Sequence, residues 1–234
     1  MMRLTRDQTF QVVLNLRTPA GAGRETVGTG LFVVKDEKAA YILTATHVAS
    51  SCTNASQVVI SDAVSHAQSF PLTHFNAALR WKHHPVADVS ILPVVPHQSL
   101  APHLGGRFLP TSQLEFGKIA PSRDAYLTAV GFPHGLGASG LFSPFTFRSH
   151  ASSALITLPR FDTKSPCDFF TLENPSVGGY SGGPVFDLGY IVVGAMTTTA
   201  GPTMCAGIMH GTIADDTGGQ IAAVTPCSYV ADLL

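Results

Sequence analysis

Short apolar runs recur along this chain, some alternating with polar residues and some continuous, and each is closed by Gly, Pro, Ser or Asn. They fall at Phe10–Leu16, Gly30–Val34, Ala40–Thr44, Gln57–Ile60, Val89–Val94, Tyr126–Val130, Ala154–Leu158, Phe169–Leu172, Val185–Phe186, Ile191–Met196 and Gln220–Val224. Runs this short, punctuated by turn formers, predict an all-β chain rather than alternating strands and helices. Two helical pieces are expected. One is a single turn over Val48–Ser51; the other is a C-terminal helix over Ser228–Leu234, which follows Pro226 and lays Val230, Leu233 and Leu234 on one face. No internal repeat or long Pro/Ser/Gly linker divides the sequence, so residues 1–234 read as one domain. The Pro-rich tract from Pro93 to Pro121 is read as the crossover between two subdomains, about 1–100 and about 122–234.

Composition narrows the function classes. A length of 234 residues suits one double-layered β domain and leaves no room for a typical second module. A formal charge of −1 with only 12% charged residues, scattered along the chain, gives no electrostatic footprint for nucleic acid or for a membrane surface. The start Met1-Met2-Arg3-Leu4-Thr5-Arg6-Asp7-Gln8 lacks a continuous apolar signal-peptide segment, and no later run is long enough to span a bilayer. The expectation is a soluble cytoplasmic protein, or a secreted or periplasmic one if a signal peptide has been removed. Cys52, Cys167, Cys205 and Cys227 have no Cys-x-x-Cys spacing, so buried free thiols are the default reading, with a disulfide as the minority one.

The chemistry concentrates in Gly178-Gly179-Tyr180-Ser181-Gly182-Gly183-Pro184. Glycines on both sides of Ser181 clear the approach of a substrate carbonyl and free backbone N–H groups to converge on one point. Alone, such a turn mostly closes a hairpin. Two further motifs change the odds: Thr44-Ala45-Thr46-His47 after an apolar run, and Asp88-Val89-Ser90-Ile91-Leu92 after a His-Pro turn. For Asp88 the competing reading is an ordinary turn carboxylate. The adjacent pair His83-His84 lacks a Cys or acidic partner at ligand spacing and its side chains diverge in a strand, so no metal site is expected. His66, His74, His97, His103, His134, His150 and His210 read as surface or hydrogen-bonded residues, His134 being the one whose Gly-rich loop could border a cleft.

On these motifs the chain resembles the trypsin-like (chymotrypsin-fold) serine peptidases, most closely their bacterial HtrA/Deg-like branch without a PDZ domain. Gly28-Thr29-Gly30-Leu31-Phe32-Val33-Val34 and Val130-Gly131-Phe132-Pro133-His134-Gly135-Leu136-Gly137 are similar to two further family segments. The resemblance implies two six-stranded antiparallel β-barrels with a short C-terminal helix and the active site in the cleft between them. It implies a catalytic triad of His47, Asp88 and Ser181, an oxyanion hole from the N–H groups of Gly179 and Ser181, and no metal or organic cofactor. The substrate would be a protein or peptide.

The same resemblance places the floor of the specificity (S1) pocket at Pro175, Ser176 and Val177, with walls from Thr197, Thr198, Thr199 and Gly219. No acid occupies the floor position that selects Lys or Arg, although Asp215 and Asp216 precede Gly219 closely enough to threaten that argument. Glutamate-specific relatives carry a His on the wall strand, and the matching position is read as Met196, so small or medium apolar P1 residues are expected. Tyr180 stands where activated trypsins have an Asp that pairs with a freed N-terminus. Activation by propeptide cleavage is therefore not expected, and the oxyanion loop is either formed at rest or ordered by an activating partner. A pseudoprotease serving as a peptide-binding or scaffold module is the alternative function, and hydrolysis of small esters or amides a third.

Overall fold

The computed structural model describes residues 4–193, 196–199, 201–214 and 216–234. Its strands form two large sheets. The first contains β1 (Val13–Pro19), β2 (Glu25–Lys35), β3 (Ala39–Thr44), β4 (Gln57–Ser61), β5 (Ala67–Pro71), β6 (Lys82–His83), β7 (Ser90–Pro93) and β8 (Leu109–Pro110). Their order is β5-β4-β1-β2-β3-β7-β6, antiparallel throughout, with β8 added parallel to β2. After β9 (Leu127–Gly131) come the short hairpin β10 (Ala138–Ser139) and β11 (Leu141–Phe142), then β12 (Phe145–Ser149), β13 (Ile156–Pro159), β14 (Pro166–Leu172) and β15 (Pro184–Asp187). A second hairpin, β16 (Tyr190–Val193) with β17 (Met196–Thr199), precedes β18 (Met204–Ala214) and β19 (Gln220–Pro226). The second sheet runs β12-β9-β15-β18-β19-β14-β13. The all-β architecture is thus the one expected, with eight and seven strands in place of six each, and both hydrogen-bonded ladders are open at their ends.

Strand alternation divides the apolar residues among three clusters. Phe32 of β2 faces the interior of the first sheet with Leu14, Ile42, Ile60, Phe75 and Leu92. Its neighbours Leu31 and Val33 face the other way, into a cluster shared with Val130, Phe132, Phe169, Phe186 and Ile208 of the second subdomain. A third cluster, including Leu127, Phe170, Val185, Met209 and Val224, fills the second sheet. The middle cluster docks the two sheets against each other.

Several local expectations change, among them the single run Ile191–Met196, which is divided between β16 and β17. The run expected as a strand from Phe10 starts as a helix, α1 (Arg6–Val12), because Thr5 and Gln8 cap it reciprocally: Thr5 Oγ1 accepts the Gln8 N–H at 3.2 Å and Gln8 Oε1 accepts the Thr5 N–H at 2.8 Å. The C-terminal helix shrinks to a 3₁₀ turn, Cys227–Val230, followed by an ordinary turn. Strand β18 was not expected at all. It is buried on both faces over most of its length and carries Gly207 and Gly211, so it shows no alternation to read. The turn after His47 forms as expected, slightly longer, as α2 (Thr46–Ser51).

Phe32 is fully buried, stacked at 5.9 Å on Phe75 and edge-on at 5.3 Å to Phe108. Phe32→Ala is expected to lower the unfolding free energy by about 3–5 kcal/mol in urea titration, whereas Val64→Thr on the exposed loop should change it by less than about 0.5 kcal/mol.

Candidate active site

Strand β3 delivers Thr44 and then turns at Ala45 into α2, which leaves the first helical N–H groups without intrahelical acceptors. Ala45 offers no capping side chain. Asp88 takes that role from across the sheet: its Oδ1 accepts the His47 backbone N–H at 3.0 Å while Oδ2 accepts from His47 Nδ1 at 2.7 Å. One carboxylate therefore holds both the backbone and the ring of His47. The loop carrying Asp88 is organised by His84, whose Nδ1 accepts the N–H groups of Val86 (3.1 Å) and Ala87 (2.8 Å) and whose Nε2 donates to Asp232 at 3.2 Å.

Two residues of the second subdomain complete the surroundings of Asp88, and neither was read as part of the site. His210 of β18 donates from Nδ1 to Asp88 Oδ2 at 2.5 Å, and Arg160 donates to Oδ1 at 3.3 Å. Arg160 is itself held by both oxygens of Asp162 (2.9 and 2.6 Å) and by the Val86 carbonyl (2.9 Å). Burial pushes the Asp88 carboxyl up, but the hydrogen bonds from His210 and His47 and the charges around them hold it well below the usual carboxylate range. His47, Asp88 and His210 also bring three ligand-type atoms within 4.8 Å of one another. The 2.7 and 2.5 Å separations are those of N–H···O bonds, closer than ligands spread around an ion, so the arrangement reads as protonated nitrogens on a carboxylate.

Ser181 sits in the turn between β14 and β15, stapled to the first sheet by Thr29. The Thr29 N–H donates to the Ser181 carbonyl at 2.8 Å, its Oγ1 donates to the Gly179 carbonyl at 2.7 Å, and its own carbonyl accepts from Thr44 Oγ1 at 2.7 Å. The Gly178 carbonyl accepts the His134 N–H at 2.8 Å. Because a trans peptide points its C=O and N–H in opposite directions, the Gly179 N–H is aimed away from His134. Among the described residues, no protein acceptor takes the N–H of Gly179 or Ser181. Gly179 adopts φ +103°, and a Cβ there would lie 2.2 Å from the Phe132 carbonyl oxygen, which explains the glycine. Tyr180 anchors the turn without an ion pair. Its buried ring packs edge-on to Phe147 at 5.1 Å, and burial pushes its phenol up to about 12.

Ser181 Oγ donates to the His210 carbonyl at 3.3 Å and, among the described residues, has no hydrogen bond to His47. Beside it opens a cavity of about 210 Å³ lined by Phe161, Val177, Gly178, Ser181, Gly211 and Thr212. Of the expected pocket residues, Val177 lies on this cavity and Ser176 supports it, its carbonyl accepting from Thr212 Oγ1 at 2.7 Å. Pro175 is exposed nearby in the chain. Thr197, Thr198 and Thr199 lie instead on β17, which among the described residues pairs with β16 alone, and Gly219 lies in the exposed approach to β19. The wall comes from Gly211 and Thr212 of β18, the strand that the sequence pattern concealed. Asp216 is exposed in a turn, and Asp215 lies outside the described residues. The wall strand does carry a histidine, His210 rather than Met196, but its Nδ1 is spent on Asp88 and its Nε2 on the Phe161 N–H at 3.2 Å. The cysteines are free, with Cys167, Cys205 and Cys227 buried. Among the described residues no helix is long and apolar enough to cross a membrane.

A family model for the trypsin-like peptidase domain matches residues 28–194, and the chain belongs to that family. No curated protein sequence matches it. Among solved structures it is similar to the Rv3671c protease of M. tuberculosis in its active form, with a TM-score of 0.63, 22% identity and coverage of 97% of this chain and 80% of that one. It is also similar to the MamO protease domain of Magnetospirillum magneticum, with a TM-score of 0.65, 14% identity and coverage of 98% and 99%. A serine endoprotease from Yersinia pestis shares the fold at a TM-score of 0.55 and 17% identity, over 99% of this chain and 66% of that one. The trypsin-like double-barrel fold is thus common to all three, and the chain is a trypsin-like serine peptidase.

The low-lying Asp88 carboxyl makes a pH prediction. A folded-state pKa below the unfolded one contributes stability above the unfolded value, about 3.9, and loses it as pH falls through that range. Denaturation midpoints should therefore fall steeply below about pH 4, and Asp88→Asn, which has no proton to gain, should flatten that slope.

Proposed function

We propose that this chain is a serine endopeptidase in which Ser181 attacks the scissile carbonyl, His47 takes and returns the proton, and Asp88 fixes the ring of His47 in the tautomer that leaves Nε2 free. The observation that carries the reading is the two-point hold of Asp88 on His47, at 2.7 Å to the ring and 3.0 Å to the backbone, beside a serine in a glycine turn. The Ser181 hydroxyl reaches His47 by leaving the His210 carbonyl through a rotation about χ1, a change between staggered wells. The unengaged N–H groups of Gly179 and Ser181 would receive the oxyanion, and dipoles already in place cost no reorganisation during reaction. No step requires a metal or organic cofactor.

The pocket lining supports a small apolar residue before the scissile bond. Val177, Phe161 and the glycines offer no charge, and about 210 Å³ holds a small or medium side chain. Burying an unpaired Lys or Arg charge there costs several kcal/mol, whereas Ala, Val or Leu gains roughly 1–3 kcal/mol by desolvation. A second reading, a peptide-binding cleft without turnover, draws on the Ser181 hydroxyl resting on the His210 carbonyl and on the Phe161 ring 4.7 Å from that of His47.

A fluorophosphonate probe separates the two readings, because only an activated serine reacts quickly. Labelling should occur in the wild type and vanish in Ser181→Ala; Ser181→Ala or His47→Ala should lower kcat by on the order of 10⁶ and Asp88→Ala by on the order of 10⁴. An unlabelled wild-type protein that still binds peptides would favour the binding module. Profiling with a peptide library should give apolar P1 residues, with Lys and Arg at least about 100-fold weaker in kcat/KM, and dominance of Arg or Lys would refute the pocket assignment.

A further inference from the structure

We propose that His210 is a positioning residue, a neutral imidazole locked in one tautomer that shares the Asp88 carboxylate with His47 and sets how strongly that carboxylate supports the base. The proposal rests on the peptidase reading above. Its starting point is a register shift in β18 between Met209 and Gly211, which leaves His210 out of the ladder with β19. A bulge of this kind re-aims a side chain. Here it turns the His210 ring into the junction of the two sheets, fully buried, at 4.4 Å from the ring of Phe161 and 4.8 Å from that of Phe169.

The tautomer follows from the partners. Nε2 accepts the Phe161 N–H at 3.2 Å and so carries no proton; the proton is on Nδ1, which donates to Asp88 Oδ2 at 2.5 Å. His47 Nδ1 donates to the same oxygen at 2.7 Å. The other oxygen accepts from the His47 backbone at 3.0 Å and from Arg160 at 3.3 Å. Two consequences follow. Donors from both halves of the molecule prevent the carboxylate from rotating, so the His47 ring keeps its aim. Each added donor also draws on the negative charge, so Asp88 stabilises the charged form of His47 less than an unshared carboxylate would. The other charged or titratable groups around the shared carboxylate are His47 on α2, 5.9 Å ring to ring from His210; Arg160, paired with both Asp88 and Asp162; and Cys167 on β14, whose thiol burial pushes up.

Three substitutions dissect the two bonds. His210→Asn keeps a donor near the Nδ1 position and offers nothing at Nε2; His210→Gln can meet the Phe161 N–H but not Asp88; His210→Phe keeps ring packing with neither. Steady-state kinetics on a chromogenic peptide should show kcat lowered about 10- to 100-fold in the Phe and Gln variants, with KM within about threefold and the acid limb of the kcat/KM profile moved to higher pH. His210→Asn should restore most of kcat and return the limb to its wild-type place. Thermal unfolding checks that each variant is folded. Wild-type kcat and superimposable pH profiles in all three folded variants would overturn the proposal, as would rescue by Gln rather than Asn. Proton NMR tests His210 even if the wild type shows no turnover. Two low-field Nδ1–H resonances are expected, of which one is lost in His210→Phe, and a single such resonance in the wild type would refute the shared carboxylate.

Discussion

The cleft depends on one buried charge. Asp88 has no exposed surface, and removing a carboxylate from water costs several kcal/mol unless hydrogen bonds replace the solvent. Among the described residues its four donors come from both halves of the molecule: two from His47 on α2, one from His210 on β18 and one from Arg160 in the 160–165 loop. The charge is accommodated only when the two sheets are docked. Docking in turn is driven by the apolar cluster that Leu31, Val33 and Leu43 share with Val130, Phe169 and Ile208. Burial of that cluster and satisfaction of Asp88 are thus one event, and the geometry of His47 is a product of it.

The turn that carries Ser181 is held by a different set of contacts. Thr29 alone makes three hydrogen bonds to Ser181, Gly179 and Thr44, so the glycine-rich segment of the second half is registered against β2 and β3 of the first. The ring of Tyr180, buried against Phe147, supplies apolar anchorage where relatives by resemblance use a charge. The direction of the Gly178–Gly179 peptide is then set by the His134 N–H, a backbone contact from the segment after β9. These contacts tie the turn to the first half of the molecule through backbone and threonine hydrogen bonds.

The Phe161 loop links the two sites of interest on the cleft. Arg160 reaches the Asp88 carboxylate, the Phe161 N–H fixes the tautomer of His210, and the Phe161 ring lies edge-to-face with that of His47 and lines the cavity beside Ser181. A wall of the cavity and donors to Asp88 and His210 therefore share one short stretch, Arg160 and Phe161. A residue that shapes the cavity here cannot be changed without touching the carboxylate network one bond away.

Most strands and the residues of the proposed triad were legible in the sequence because each is a local matter. Apolar runs between turn formers specify strands, and a serine that must sit in a tight turn against β2 and β3 brings its glycines with it; a Cβ on Gly182 would lie 2.0 Å from Thr44 Oγ1. The Thr5-x-x-Gln8 cap of α1 was also present as a local signal, though the apolar run at Phe10 spoke for a strand. What tertiary structure alone decided is the second half of the site. Strand β18 is buried on both faces and shows no alternation, so Gly211 and Thr212 on the cavity beside Ser181 were not foreseen, the resemblance pointing to Thr197, Thr198, Thr199 and Gly219 for a pocket wall. His210 and Arg160 carry no local pattern, because their partner lies 122 and 72 residues away and is reached only through a bulge and a loop docked across the cleft. A sequence records which groups need partners; which groups become those partners is settled when the two sheets close on the charge between them.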